Sequence, residues 1–384
     1  MGAKKILFIC GTRPEAIKMA PLIKLAKQQG LWQVIVCATA QHRNMLDQVL
    51  EFFAIKPDYD LDLMQPNQNL LELTSIGLVE LQKVISETKP DLIFVQGDTT
   101  TAFIGALAGF YAQVPIAHIE AGLRSGDKSS PYPEEAYRCL ISQLAKFHFT
   151  PTQVTCDNLA REFIHANVHI VGNTVIDAML RGLEILAHSP QDQINYTTRF
   201  NFLDPNRKLI LVTCHRRESF GEGVINLCSA LKYLAENNND IQILIPLHPN
   251  PNIKGIIEQE LGGMENISLI QPLEYPAMLW LMKKCYVIIT DSGGIQEEAP
   301  SLGKPVLVVR DVTERVEAIS AGTAKLVGIK ERNIIDEATK LLSDESAYKR
   351  MADVNNPYGD GTSSDKILSI IAQYFSVDAK GNSA

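Results

Sequence analysis

Short apolar runs recur along this chain of 384 residues, each ending in a polar or glycine-containing turn and each followed by a stretch with helical spacing. Residues 6–10 form the first run, and Gly11-Thr12-Arg13-Pro14 follows it. Pro14 suits the first position of a helix, and Ala16, Ile17, Ala20, Ile23 and Leu25 then recur at roughly helical intervals. Further runs lie at 34–38, 92–96, 114–119, 147–150 and 168–171. A second set occupies 209–213, 241–246, 267–270, 287–290 and 306–309. Strands that are apolar throughout, separated by amphipathic helices, belong to parallel sheets covered on both faces. The expected class is therefore α/β, with two Rossmann-like domains. The boundary is placed near Gly172-Asn173, giving domains over 1–172 and 173–360. Between the two sets, a helix is expected to give way to the polar tract Ser189-Pro190-Gln191-Asp192-Gln193. In open α/β sheets, ligands bind beyond the carboxyl ends of the strands. The expected site is a cleft faced by both domains, and the residues just after strands are the candidates.

Charge and cysteine usage narrow the partners. Lys and Arg number 36 against 44 Asp and Glu, a formal charge of −8. Nucleic-acid and anionic-membrane proteins carry a basic excess, so neither partner is expected. A small anionic ligand needs only a few local arginines. The seven cysteines are an odd number and form no C-x-x-C, which fits reduced thiols in the cytoplasm and no zinc knuckle. The apolar run 6–10 is too short for a signal peptide. Residues 99–119 carry no formal charge, yet Thr99, Thr100, Thr101, Gln113, Pro115 and His118 punctuate them. Helix, break and buried strand is the expected arrangement there, in place of a membrane span.

Several motifs are missing. There is no G-x-G-x-x-G, no G-x-x-x-x-G-K-[ST], no H-E-x-x-H and no G-x-S-x-G. His118-Ile119-Glu120 matches the first half of a zinc-deaminase signature, but no Pro-Cys-x-x-Cys follows. Dehydrogenases, P-loop kinases, zinc hydrolases and α/β-hydrolases therefore lose their leading signals.

Other motifs sit after strands. Asp291-Ser292-Gly293-Gly294 precedes a helical segment, where backbone N–H groups and the helix dipole attract an anion. Glu298 lies one turn further and is suited to two ribose hydroxyls. The same residues also fit a tight turn with Ser292 as N-cap. Arg13 and Lys18 flank the first helix start, where a planar guanidinium and a point charge suit a diphosphate. Asp98 and Glu120 each follow a strand. Glu134 and Arg138 are spaced i, i+4, which alone fits a surface ion pair. Several carboxylates in one cleft are what proton removal from carbon requires, since burial and like charge separate their pKa values. His215 leads Arg216 and Arg217 after the first strand of the second set, and His248 follows the next strand among prolines.

These residues resemble a known family. Gly-Thr-Arg-Pro-Glu-Ala-Ile-Lys (11–18), Ala-Gln-His-Arg (40–43), Gly-Asp-Thr-Thr-Thr (97–101) and His-Ile-Glu-Ala-Gly-Leu-Arg (118–124) carry the likeness in the first half. Pro-Glu-Glu-Ala (133–136), Gly-Asn-Thr-Val-Ile-Asp (172–177), His-Arg-Arg-Glu (215–218), the run from Asp291 to Gly303 and Asn-Pro-Tyr-Gly-Asp-Gly (356–361) carry it in the rest. In this order they resemble the non-hydrolysing UDP-N-acetylglucosamine 2-epimerases, over about 4 to 375. The resemblance implies a glycosyltransferase-B fold, a C-terminal helix over about 361–376 that returns to the first domain, and a homodimer. It implies reversible conversion of UDP-GlcNAc to UDP-ManNAc for surface polysaccharides, by anti elimination of UDP to 2-acetamidoglucal and re-addition, with no cofactor and no metal.

Carried over by position, Asp98, Glu120 and Glu134 are the acid/base candidates, with Arg138 nearby. Arg13, Lys18 and His215 go to the diphosphate. Ser292, Gly293 and Gly294 bind phosphate, Glu298 the ribose, and Arg315 lines the site. Leu273 and Met278 would lie near uracil, Met278 standing where relatives have an aromatic. Val316 replaces the usual Pro. A second, activating UDP-GlcNAc would meet Gln41, Asn44, Asn67, Gln68, Glu134, Arg216 and His248; Asn67 stands where some relatives have Arg, and Asn44 where some have Gln. A glycosyltransferase of the same fold, a hydrolysing epimerase that releases ManNAc, and a silent nucleotide-sugar sensor are the alternatives. Turnover without an acceptor separates the first from an epimerase.

Overall fold

The computed structural model describes residues 3–39, 43–65, 68–214, 221–248 and 250–381. They form two compact units, Met1–Arg181 with Tyr358–Ala384, and Gly182–Pro357.

The first unit is built on strands β1 (Lys4–Cys10), β2 (Trp32–Ala38), β3 (Tyr59–Asp60), β4 (Leu92–Gln96), β5 (Ile116–Ile119), β6 (Phe147–Thr150) and β7 (Val168–Ile170). Their order across the sheet is β3-β2-β1-β4-β5-β6-β7, and every pairing is parallel. Ile6 pairs with Val34 on one side and Leu92 on the other. Ile6 to Cys10 are fully buried, as a central strand under helices on both faces must be.

Local chemistry sets the ends of the elements. The first helix, Arg13–Gln29, begins at Arg13, so Pro14 is its second residue and Thr12 the N-cap; Gly30 ends it at φ 65°. The uncharged stretch resolves into a helix, Thr100–Tyr111, and β5, as expected. Gly105 and Gly109 let that helix lie close on the sheet. A Cβ at either would stand 2.9 Å from Val95 or Ile93. Among the described residues no helix is long and apolar enough to cross a membrane.

The second unit contains β8 (Lys208–Thr213), β9 (Ile241–Pro246), β10 (Ile267–Ile270), β11 (Val287–Thr290), β12 (Val306–Val308) and β13 (Ala324–Leu326), in the parallel order β10-β9-β8-β11-β12-β13. Its core joins Ile210, Val212, Ile243, Ile245, Val287 and Ile289 to Leu227, Leu231 and Leu234 of the helix Glu222–Asn237. The polar tract at 189–193 is helical, which corrects the sequence expectation. Ser189 caps Pro190–Arg199 by accepting from the Asp192 amide, and Pro190 occupies the first turn. The helix Ser363–Gly381 packs on the first unit. The Asp177 carboxylate accepts from the Ser363 and Ser364 amides at 3.3 and 2.7 Å. Ile367, Leu368, Ile371 and Phe375 are buried, and the Tyr374 ring meets Phe147 edge-on.

Candidate active site

Both sheets reverse their winding at a central pair, β1/β4 in the first unit and β8/β11 in the second. Such switch points open a crevice at the strands' carboxyl ends. Bonded threonine hydroxyls lie at or beside each pair. Thr213 and Thr290 lie 2.6 Å apart, and beside β1 Thr39 and Thr101 lie 2.8 Å apart. Gly11 has no room for a side chain, since a Cβ would fall 2.1 Å from Thr39 Oγ1 and 2.2 Å from Thr101 Oγ1.

At the first switch point, Glu15 reaches back into its own helix start. Its buried carboxylate accepts from the Gly11 and Thr12 amides at 3.1 and 2.7 Å and from the Thr99 hydroxyl at 2.8 Å. Burial pushes its pKa up to about 7 against the pull of these donors. The positive end of this helix is thus filled by the protein's own carboxylate.

Two carboxylates follow β4 and β5, each with a cation. Glu120 sits at φ 63°, a left-handed conformation uncommon for residues with a side chain. Its Oε2 accepts from Lys18 Nζ at 2.6 Å and from Gln96 Nε2. Lys18 and Glu120 are both largely buried. Asp98 Oδ2 accepts from Arg138 Nε at 2.6 Å, and Arg138 Nη1 donates to Glu135 at 2.7 Å. Burial opposes the Arg138 charge, but Asp98 and Glu135 outweigh it and raise its pKa. Arg138 therefore pairs with Asp98 and Glu135, and not with Glu134 as the i, i+4 spacing alone would fit. Glu134 is half-exposed at the start of the helix Glu134–Leu144.

His118 fixes the Asp98 loop. Its Nε2 lies 2.7 Å from the Gly97 carbonyl, and that geometry makes Nε2 the protonated nitrogen. Burial, ahead of the charge of its neighbours, lowers its pKa to about 3, so the ring is neutral. The Gly97 amide donates to Ile119 at 3.0 Å, and Gly97 turns at φ 69°. The loops bearing Asp98 and Glu120 are thus tied to each other through backbone as well as side chains.

In the second unit, β11 leads into Ser292, Gly293 and Gly294 at the start of the helix Gly293–Glu298. Ser292 holds the N-cap position, yet its side chain makes no capping bond; the Ser292 amide donates to Thr290 Oγ1 at 2.9 Å. Glu298 Oε1 accepts from the Tyr275 hydroxyl at 3.1 Å, and Glu297 accepts from Arg315 Nε at 2.6 Å. Tyr275 opens the helix Tyr275–Lys284. That helix carries half-buried Met278, and buried Leu273 stands just before it. The expected nucleotide residues Leu273, Met278, Ser292, Gly293, Gly294, Glu298 and Arg315 thus all belong to this unit. Arg13 is half-buried at the first helix start of the other unit.

The match to a family model described as UDP-N-acetylglucosamine 2-epimerase spans residues 24–372. The chain belongs to the UDP-N-acetylglucosamine 2-epimerase family. It is 51% identical to the UDP-N-acetylglucosamine 2-epimerase of Yersinia pestis over 371 residues, covering 96% of this chain and 99% of that one. It is 50% identical to the Escherichia coli (strain K12) enzyme of the same name over 365 residues, 95% and 97% of the two chains. The crystal structure of UDP-GlcNAc 2-epimerase from Neisseria meningitidis bound to UDP-GlcNAc superimposes with a TM-score of 0.90 at 48% identity, covering 96% of this chain and 100% of that one. Sucrose-phosphate synthase from Thermosynechococcus elongatus, 12% identical with a TM-score of 0.61 over 97% of this chain and 100% of that one, shares the fold alone. The α/β class with two parallel sheets, of glycosyltransferase-B type, is thus established for this family member.

Other expected residues fall elsewhere. His215, Arg216, Gln41 and Asn67 lie outside the described residues, as does the Asn44 side chain. Gln68 accepts from the Gln65 amide, and His248 from the Asn250 amide. Sequence reasoning passed over Gln96, Glu135 and Glu297, the partners of Glu120, Arg138 and Arg315. Only Glu135 left a signal, its i, i+3 spacing to Arg138.

Proposed function

We infer that the chain acts on UDP-N-acetylglucosamine, as its relatives' names state for them; it is an isomerase, a UDP-N-acetylglucosamine 2-epimerase. The finer reading is reversible conversion to UDP-N-acetylmannosamine through elimination and re-addition of UDP. The C2 proton is not beside a carbonyl, so its removal must be coupled to loss of the C1 substituent. A carboxylate takes the proton, the C2–H electron pair becomes the C1=C2 bond of 2-acetamidoglucal, and the C1–O pair leaves with UDP. Re-addition with protonation on the opposite face gives the epimer. The route returns every atom and electron, so no oxidant enters.

The observation that carries this reading is the pair of carboxylates after adjacent strands, Asp98 on Arg138 and Glu120 on Lys18, each at 2.6 Å. A cation lies beside each, in surroundings that exclude much of the solvent and strengthen both interactions. In this reading Glu134 adds a third acid/base group, Lys18 serves Glu120 as well as the ligand, and His215 acts on the leaving diphosphate with Arg13. UDP uses the second unit, its phosphates on Ser292, Gly293 and Gly294 with Arg315, its ribose on Glu298 and its uracil near Leu273 and Met278. The helix start at which the Ser292 side chain makes no capping bond supports this placement, because the first unit's equivalent is taken by Glu15.

We further propose a cytoplasmic homodimer that supplies surface polysaccharide synthesis. Exposed Leu71, Val79, Phe110 and Tyr111, on neighbouring helices of the first unit, support the self-association. A second UDP-GlcNAc as activator, on Gln41, Asn44, Asn67, Gln68, Glu134, Arg216 and His248, would show as sigmoidal kinetics.

The test is proton NMR of UDP-GlcNAc with the chain in D₂O and no acceptor. UDP-ManNAc should form with deuterium at C2. Retention of the original hydrogen sinks proton abstraction, and release of free ManNAc points to the hydrolysing reaction.

A further inference from the structure

The helix Glu134–Leu144 opens with two adjacent carboxylates in different surroundings. Glu134 is half-exposed, whereas Glu135 is 2% exposed. Glu135 Oε1 accepts from the Gly126 amide at 3.0 Å, and Oε2 accepts from Arg138 Nη1 at 2.7 Å. Burial opposes its ionisation, but bonds from the Ser125 and Gly126 amides and from Arg138 hold its pKa below the ordinary value. Glu135 is thus a buried anion spanning two things, the loop that follows Glu120 and the guanidinium that meets Asp98.

The geometry at Arg138 gives this span a purpose. A guanidinium and one carboxylate favour a fork-to-fork pair that uses both carboxylate oxygens. Here Arg138 uses two different sides, Nε for Asp98 Oδ2 and Nη1, the arm pointing away from the Nε edge, for Glu135 Oε2. Glu135 thus holds the far arm and keeps the Nε edge turned to Asp98. With Glu135 neutral, that arm would lose its charged partner and the Nε edge would be free to turn away from Asp98. Gly126, at φ 81°, anchors the same carboxylate to backbone, so the restraint does not depend on Arg138 alone.

We propose that Glu135 is a positioning residue that fixes the far arm of Arg138 and so holds its Nε edge on Asp98, the carboxylate that exchanges the proton in the reading above. The proposal rests on the epimerase reading above. It deepens that reading, because it separates the two neighbouring glutamates into a residue at the substrate and a residue behind it.

The experiment uses the full chain as wild type, Glu135→Gln, Asp98→Asn and the double variant. Gln keeps the volume and an oxygen for Gly126 but loses the charge that holds Arg138. Glu135→Gln should lower kcat on the order of 10²-fold, the size of a general-base contribution. KM and UDP affinity should change less than about threefold, as for an interaction used only in the transition state. In the Asp98→Asn background the same change should have no further effect, because its target is gone. The ¹⁵N–¹H signal of Arg138 Nε, bound to Asp98 in the wild type, should shift in Glu135→Gln. Should Glu135→Gln not fold, Glu135→Asp, which keeps the charge but falls short of Arg138, is measured the same way. Wild-type kcat in a folded variant, or an equal loss with and without Asp98, overturns the proposal. An unshifted Arg138 Nε signal also overturns it, and does so whether or not the chain epimerises. A wild type that leaves UDP-GlcNAc unchanged defeats the epimerase reading instead.

Discussion

Replacing Glu15 by Gln should stabilise the first unit at high pH and leave it nearly unchanged at low pH. The carboxyl is fully buried, and its pKa stands at about 7 in the fold against 4.5 ordinarily, chiefly because burial disfavours the charge. A raised folded value means the folded state holds the proton more tightly than the unfolded chain. The contribution of Glu15 is therefore fully present below pH 4.5 and is lost as pH rises through about 7. Carrying the difference through at 1.36 kcal/mol per unit makes the charged form cost about 3 kcal/mol at pH 8.5. Gln can keep the local bonds. Its oxygen can accept from Gly11 and Thr12, and its amide can donate to the Thr99 hydroxyl once that hydroxyl rotates. The buried histidines His118 and His148, lowered to about 3 and 4 mainly by burial, act in the opposite sense as pH falls. They act equally in both proteins, so the difference between the two curves isolates Glu15. Urea unfolding from pH 4.5 to 8.5 is the assay. Trp280→Phe in both chains leaves Trp32 of β2 as the single tryptophan, so fluorescence reports the first unit. The stability difference should grow steadily to about 3 kcal/mol in favour of Gln. Parallel curves would refute the argument, and a Gln variant less stable at every pH would mean that the three bonds require the charge.

Asp98→Asn and Glu120→Gln should each lower kcat by roughly 10²–10⁴-fold, while UDP affinity by calorimetry stays within about tenfold; wild-type turnover would return both to structural roles. Glu298→Ala should weaken UDP binding by on the order of 1.5–3 kcal/mol, the value of a hydrogen bond to a charged group, without abolishing the deuterium exchange at C2. Asp177→Ala removes the acceptor for the Ser363 and Ser364 amides. Hydrogen exchange in the helix Ser363–Gly381 should accelerate there, and unchanged protection would show that its apolar face alone holds it.

Sequence and structure agree best where one physical cause dominates. Apolar runs such as 92–96 and 287–290 can only be buried parallel strands, and both are. Two strands escaped because they carry too little pattern. Tyr59–Asp60 is two residues long, and Ala324–Leu326 puts Lys325 at its centre. The tract at 189–193 misled because polar composition outweighed the cap and proline that start a helix there. In the site, the strand ends pointed to Asp98, Glu120 and Ser292, since topology puts residues after strands in the crevice. Gln96 and Glu297, the partners of Glu120 and Arg315, were hidden, because a buried bond from one element to another leaves no spacing to read, and Glu135 left only its i, i+3 spacing to Arg138.

The filled helix start at Glu15 has a consequence for how a ligand is oriented. Two units of like topology would ordinarily offer two equivalent seats for an anion. Here one seat is occupied by a tethered carboxylate, whereas at the other the Ser292 side chain makes no capping bond. A nucleotide sugar is itself lopsided, with its negative charge on the diphosphate and a neutral ring at one end. In the reading proposed above, the diphosphate therefore goes to the start at Ser292 and not to the start held by Glu15.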